Sequence, residues 1–421
     1  MPLRDAPLAS DAPTWLVERR RSVADRIGEP TLPSTDEEVW RYSRVADIDL
    51  DAWSPVPEPD PALSEPLTAL LDQLPERSAT VVVRNGWVVF AEVEPDWSAR
   101  GLFAGRLVEG PGGEDALGAV AGDGPDVFAA LNDARLADPV LVSVPAGLTV
   151  DRPVVVVDWV DVDGAAVQPR LVVRLGEDAE ARVLDWHGST DVAALVTPVI
   201  ELDVARAGRL GYVNVQDRGL RVWQVASQLS RVERDATLTS AQASLGGEYA
   251  RTRTDCRLVG RGATGDLQAV YFGEGSQTLD FRTFQQHAAP DTTSNLLFKG
   301  AVDDHSRSVY TGLIRVEKEA RGTNAFQTNR NLKLSEHAWA ESVPNLEIET
   351  NDVRCSHAST VGPVDDEQRF YLESRGVPTD IAERLVVAGF FAEVLAELPV
   401  TGVAPLVEAA IEERLALGGA E

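Results

Sequence analysis

Six short segments centred on an alanine recur along the middle of the chain: GEDAEARV, ARAGRLGY, ERDATLTS, GRGATGDL, QHAAPDTT and KEARGTNA. Their alanines, Ala179, Ala207, Ala236, Ala263, Ala289 and Ala320, are spaced 28, 29, 27, 26 and 31 residues apart. A near-constant step constrains the fold strongly, because a repeat of this length buries its apolar face only by stacking on the next one. A step near 28 residues suits one coil of a parallel β-helix. A similar segment, EHAWAES, places Ala338 only 18 residues further on and closes the series. From about 140 to 362, short runs rich in Val, Leu, Tyr and Thr alternate with Gly and Asp and show little helical periodicity, as stacked strands and turns do.

The flanks follow other rules. Residues 14–27, TWLVERRRSVADRI, put Trp15, Leu16, Val23 and Ile27 near one helical face. A polar, proline-rich stretch over 54–66 breaks regular structure, as a linker does. After Gly362 the period turns helical: Asp365 and Asp366 stand as N-caps before EQRFYLESRG, and Gly376 with Pro378 closes that helix. In DIAERLVVAGFFAEVLAEL, the residues Ile381, Leu385, Ala388, Phe391, Val394, Leu395 and Leu398 form an apolar stripe, and 403–417 continues similarly. The expected architecture is mostly β. A right-handed parallel β-helix core over 140–362 lies between an N-terminal helical and mixed region, 1–139, and a C-terminal helical domain, 363–421.

Charge and cysteine usage narrow the chemistry. Lys and Arg number 39 against 67 Asp and Glu, a net charge of −28, which argues against binding to nucleic acid phosphates. Neither a leader-like apolar run at the start nor a membrane-length apolar segment later is visible, so a cytoplasmic protein is expected. Two cysteines in so long a chain, Cys256 and Cys355, fit free thiols in a reducing compartment. Gly260 to Gly265 matches the dinucleotide fingerprint G-x-G-x-x-G, but DLQAVYFG follows as a strand where a phosphate-binding helix is required. None of the three lysines, Lys299, Lys318 and Lys333, follows a glycine, which excludes a Walker A loop. An iron–sulfur cluster normally takes four ligands, mainly thiolates, and no C-x-x-C occurs, so the chain alone is not expected to hold one.

Residues 344–376, PNLEIETNDVRCSHASTVGPVDDEQRFYLESRG, carry the most chemistry. In an extended strand Val353, Cys355, His357 and Ser359 share one face, offering a thiol beside an imidazole, while Arg354, Ser356 and Thr360 share the other. The plain alternative is that both are inward-facing strand residues with no ligand role. The segment resembles the SufD branch of the SufB/SufD family of iron–sulfur cluster assembly proteins, in which a Cys-Ser-His segment and a Thr-Val-Gly precede a Phe-Tyr-Leu helix and an Arg-Gly turn. The matching residues are Cys355, Ser356, His357, Thr360, Val361, Gly362, Phe370, Tyr371, Leu372, Arg375 and Gly376. Ala358 departs from it, since the family usually has Gly after the His. The resemblance extends in patches over about residues 30–400: Leu32 to Tyr42 with its Trp-Arg-Tyr element, Ala130-Leu131-Asn132, Val144 to Gly147, His287 to Ser294, Asn324 to Leu334 and Pro344 to Ile348. SufB proteins typically have a Glu-His-Glu type of segment where this chain has Cys-Ser-His.

The resemblance implies a β-helix core between helical ends and a non-catalytic scaffold subunit of a SufB, SufC and SufD complex. It places the His of the motif near the interface with SufB, where the nascent cluster forms. His357 and Cys355 are thereby the candidate cluster-assembly and metal residues, with the remaining ligands supplied by the partner subunit. It also implies that the C-terminal helices dock the SufC ATPase, making Phe370, Tyr371, Arg375, Gly376, Phe390 and Phe391 docking candidates. Deleting 365–421 is then expected to abolish SufC capture and leave a soluble β core. The implied cofactors are a transient iron or iron–sulfur cluster shared with SufB, none held stably by this chain alone, and reduced flavin in the complex. No residue pattern marks a flavin site. Two other readings stay open: a homodimeric SufD-like module binding iron or a partner without SufB, and a carbohydrate-active β-helix enzyme with paired carboxylates. Enzymes of the latter kind are mostly exported, against which the absence of a leader counts.

Overall fold

The chain winds between two facing parallel sheets, so that each coil adds one strand to both. The computed structural model describes residues 6–417. About eight turns form a β-solenoid with helices at either end, as the repeat predicts. Glu180, Arg209, Thr237, Thr264, Thr293, Asn324 and Arg354 stand in register, one above another, in the second sheet.

The period is real, but the alanines do not mark a single column. One turn per coil has a residue in the left-handed region: Asp178, Ala207, Asp235, Gly262, Asp291 and Gly322. Each N–H there continues the ladder, as from Asp178 to the Arg206 carbonyl at 2.9 Å and from Asp235 to that of Arg261 at 3.0 Å. The corner residue that follows is Ala179, Gly208, Ala236, Ala263, Thr292 or Thr323. Ala207 therefore sits one position early, and Ala289 and Ala320 each lie three positions before Thr292 and Thr323. Gly and Asp suit a left-handed φ, whereas a Cβ without a polar group does not. Replacing Ala207, at φ 57°, with Gly is expected to stabilise the chain by about 0.5–1 kcal/mol. An unchanged or lower urea midpoint would show that the neighbouring coils already absorb that strain. The G-x-G-x-x-G run is explained here too. A Cβ on Gly260 would lie 1.9 Å from the Arg234 nitrogen of the coil below, and Gly262 takes φ 73°.

Three apolar layers hold the assembly. Between the sheets lie Val173, Val183, Leu202, Tyr212, Leu238, Leu258, Phe281 and Tyr310. Outside the second sheet, Val213, Val215, Ala243 and Phe272 pack against Phe391, Val394 and Val407 of the terminal helices Thr379–Leu395 and Ala404–Leu417. Those helices are lids rather than an appendage. Removing 365–421 would uncover this sheet face and cause aggregation, contrary to the soluble core the sequence suggests. Lys299 strengthens the seam, donating from Nζ to the Phe390 carbonyl at 2.8 Å.

Outside the first sheet, Trp40 and Phe128 pack with Trp223 and Tyr249. A strap around residues 38–48 lies across this face. Arg251 donates to the Val39 carbonyl at 2.8 Å and its guanidinium lies 3.9 Å from the Trp40 ring centroid. Arg282 donates to the Arg41 carbonyl at 2.6 Å. Both arginines are held by buried Asp280, at 2.7 Å and 2.9 Å. The proline-rich stretch is likewise docked: Ser54–Pro55 pairs with Ala165 and Ala166, and the Val56 carbonyl accepts from Trp87 Nε1.

The two ends of the ladder differ. At the start, Trp87–Val93 and Phe103–Arg106 add antiparallel strands that terminate both sheets. At the far end, Trp339–Ile348 is the edge of the first sheet and Val353–Pro363 the edge of the second. Among the described residues no strand pairs with the outer side of either.

Candidate functional site at the open end

Cys355 and His357 belong to the edge strand Val353–Pro363. The alternation expected from the sequence holds: Cys355 stands on Ala325, His357 on Gln327 and Ser359 on Asn329, all buried residues of the coil beneath. These side chains thus face the space between the sheets. Among the described residues no further coil covers them. His357 and Ser359 are exposed, and Ser359 Oγ donates to Ser342 Oγ across the opening at 2.7 Å. Cys355 is half-buried, packing with Val353 and Leu346 over Ile314, Val316 and Ala325. Its thiol is pushed up by that burial, with the Ala325 backbone acting in the opposite direction.

The floor beneath is polar. Asn329 Nδ2 donates to the Tyr271 hydroxyl at 3.0 Å, and that hydroxyl donates to Asn331 Oδ1 at 2.6 Å. An inward-facing imidazole over a polar floor, open to solvent, is chemically free to accept a metal through a ring nitrogen. Among the described residues no three His, Cys, Asp or Glu side chains converge as a metal site.

The other sulfur and ring candidates are placed elsewhere. Cys256 is fully buried and its thiol is pushed up to about 12 by burial first and then by Asp266 and Asp255. Both cysteines are free. His187 is buried against Asp185 at 3.1 Å, and His287 is buried between Thr292 and Ser294, where burial drives its pKa down to about 4. His305 and His337 are far apart in sequence, yet their rings stack at 4.8 Å on exposed turns of successive coils. Only the solenoid register reveals that pair.

The docking candidates divide. Phe370 and Tyr371 are 69% and 56% exposed on the helix Asp366–Glu373, which is capped as expected by Asp365 accepting from the Glu367 and Gln368 N–H groups. Arg375 lies 3.6 Å from the Tyr371 ring centroid, and Gly376 ends the helix at φ 84°. Phe391 is a correction: it is buried in the seam with the second sheet and offers no surface, and Phe390 is half-buried beneath Lys299. The sequence stripe mixed two faces. Phe391, Val394 and Leu395 turn inward with Ala382 and Val387, while Ile381 and Leu385 turn outward. Of the outward pair, Leu385 lines a groove of about 990 Å³ together with Tyr371, Leu372, Val386 and Phe390.

The chain is a parallel solenoid whose outer sheet faces are both covered and whose two ladders, among the described residues, are unpaired at one end. Residues 159–390 match the family described as SUF system FeS cluster assembly, SufBD core domain. The chain is 38% identical over 280 residues to an iron–sulfur cluster assembly SufBD family protein of Mycobacterium tuberculosis, covering 64% of this chain and 68% of that one. It is 34% identical over 247 residues to the iron–sulfur cluster assembly protein SufD of Escherichia coli, covering 58% of each. A SufBD family protein of Synechocystis is 25% identical over 409 residues, covering 91% of this chain and 88% of that one. This chain belongs to the SufB/SufD family of iron–sulfur cluster assembly proteins. No described helix is long and apolar enough to cross a membrane.

Proposed function

We propose that this chain is a non-catalytic SufD-type scaffold subunit. It pairs with a SufB subunit through its open solenoid end, carries the SufC ATPase on its terminal helices, and presents His357, with Cys355, to a cluster being assembled as cargo. The observation that carries the reading is the coincidence, at one end, of two unpaired parallel edges with the uncovered Cys355, His357 and Ser359 row. An exposed edge left in this state is a template for another chain. By the ladder's alternation, the N–H groups of Val353, Cys355, His357, Ser359 and Val361 point to the free side, so a partner strand would meet donors beside the ligand row. One His and one Cys fall short of a cluster's usual ligand set, so the partner completes it.

SufC would dock on the outward apolar set beside the groove, and ATP hydrolysis there would move the scaffold. Because deletion of the helices removes a lid, point changes are the cleaner test. Tyr371→Ser with Leu385→Ser is expected to weaken SufC capture by about tenfold or more while leaving the melting temperature near that of the unchanged chain. The assay is co-purification with tagged SufB and SufC, followed by mass measurement of the intact complex. Undiminished SufC capture would place the docking surface elsewhere, and a complex lacking SufB would remove the pairing reading.

A further inference from the structure

We propose that Tyr42, at the tip of the N-terminal strap, is a contact residue for the partner solenoid end, so that the strap forms part of the pairing surface. This rests on the open-end pairing reading above and adds a residue that precedes Trp339, the first residue of the edge strand it touches, by 297 positions.

The backbone supplies the first observation. Arg41 takes φ −57° and ψ 138°, Tyr42 takes φ 65°, and the Ser43 N–H donates to the Trp40 carbonyl at 3.1 Å. This is a type II turn with Tyr42 in the position that calls for glycine. Among the described residues Tyr42 is the one aromatic with positive φ. A bulky side chain in that region is strained, and such an outlier points to a role for the side chain.

The second observation is where the tip reaches. The strap is pinned on either side of the turn, by Arg251 at the Val39 carbonyl, Arg282 at the Arg41 carbonyl, and Arg44 over the Trp223 ring at 4.4 Å. Pinned in this way, it projects Tyr42 past those strands to Trp339 in the edge strand Trp339–Ile348. The two rings lie 5.7 Å apart, tilted by 60°. Tyr42 nevertheless stays 48% exposed. A strand added by the partner would lie roughly 4.8 Å beyond that edge, within reach of the uncovered part of the ring. Pro344 lies within the same edge strand, at a position whose missing N–H faces the free side, so the ladder there lacks one donor. An aromatic anchor at the strand's start compensates for that interruption and suits an interface, where Tyr gives large contact area at low entropic cost. The occupant is therefore another solenoid end of this family, continuing both ladders.

The test measures association with purified SufB by titration, alongside the melting temperature of the lone chain. Tyr42→Gly gives the turn its preferred residue, and Val361→Pro removes a free-edge donor on the other sheet. The expected result is about tenfold weaker pairing for Tyr42→Gly with no loss of melting temperature, pairing retained in Tyr42→Phe, and weakened pairing in Val361→Pro. If Val361→Pro loses pairing and Tyr42→Gly does not, the role of Tyr42 is overturned and the open-end reading stands. Pairing unaffected by either change overturns both. A Tyr42→Gly chain that pairs weakly only because it has become unstable shows a structural turn residue and overturns the proposal as well.

Discussion

Replacing Asp280 with Ala is expected to destabilise the chain by about 3–5 kcal/mol, because it leaves two buried guanidinium groups without their carboxylate. Arg251 and Arg282 are each about 1% exposed, and Asp280 meets both while also accepting from the Tyr249 hydroxyl at 2.9 Å. Burial works against the Arg251 charge, and the Asp280 carboxylate more than restores it, holding the guanidinium above its ordinary value. The same two arginines hold the strap through backbone carbonyls. The loss should therefore appear in urea denaturation and as faster proteolysis within the strap. A destabilisation below about 1 kcal/mol would mean that the strap is held by its apolar contacts alone. Converting Asp280, Arg251 and Arg282 together to apolar residues should recover part of the loss, since the cost lies in the unpaired charge rather than in the absence of the cluster.

The second large effect concerns cargo rather than folding. His357→Ala is expected to lower iron loading of the complex with SufB and SufC by about tenfold or more while changing the stability of the lone chain by less than about 0.5 kcal/mol. The asymmetry follows from placement: the ring faces inward in register with Gln327, yet it is exposed because the ladder ends there. Had another coil covered it, losing a buried hydrogen-bonded ring would cost about 1–3 kcal/mol. Iron content by absorbance and metal analysis, set beside thermal denaturation of the isolated subunit, separates the two. A destabilised chain that still loads iron normally would end the ligand assignment. Cys355→Ser should be milder in loading, since burial already disfavours the thiolate.

Much of this was legible in the residues. The recurring step is imposed by stacking, so it survives in sequence even where individual alanines slip to neighbouring positions. Local chemistry was equally readable: Asp365 as a cap, Gly376 as a stop, and the alternation that puts Cys355, His357 and Ser359 on one face. These features depend only on near neighbours and on a fixed period. The tertiary structure decided which faces are covered. An apolar stripe of helical period shows that a helix has something to bury but not which of its apolar residues meet the sheet, so Phe391 reads like Leu385 until the helix is laid on the second sheet. Inward-facing likewise does not mean buried when the next coil is missing, and that absence is a property of the whole ladder. The strap that brings Tyr42 to Trp339, and the register that stacks His305 on His337, join residues whose proximity no local rule encodes.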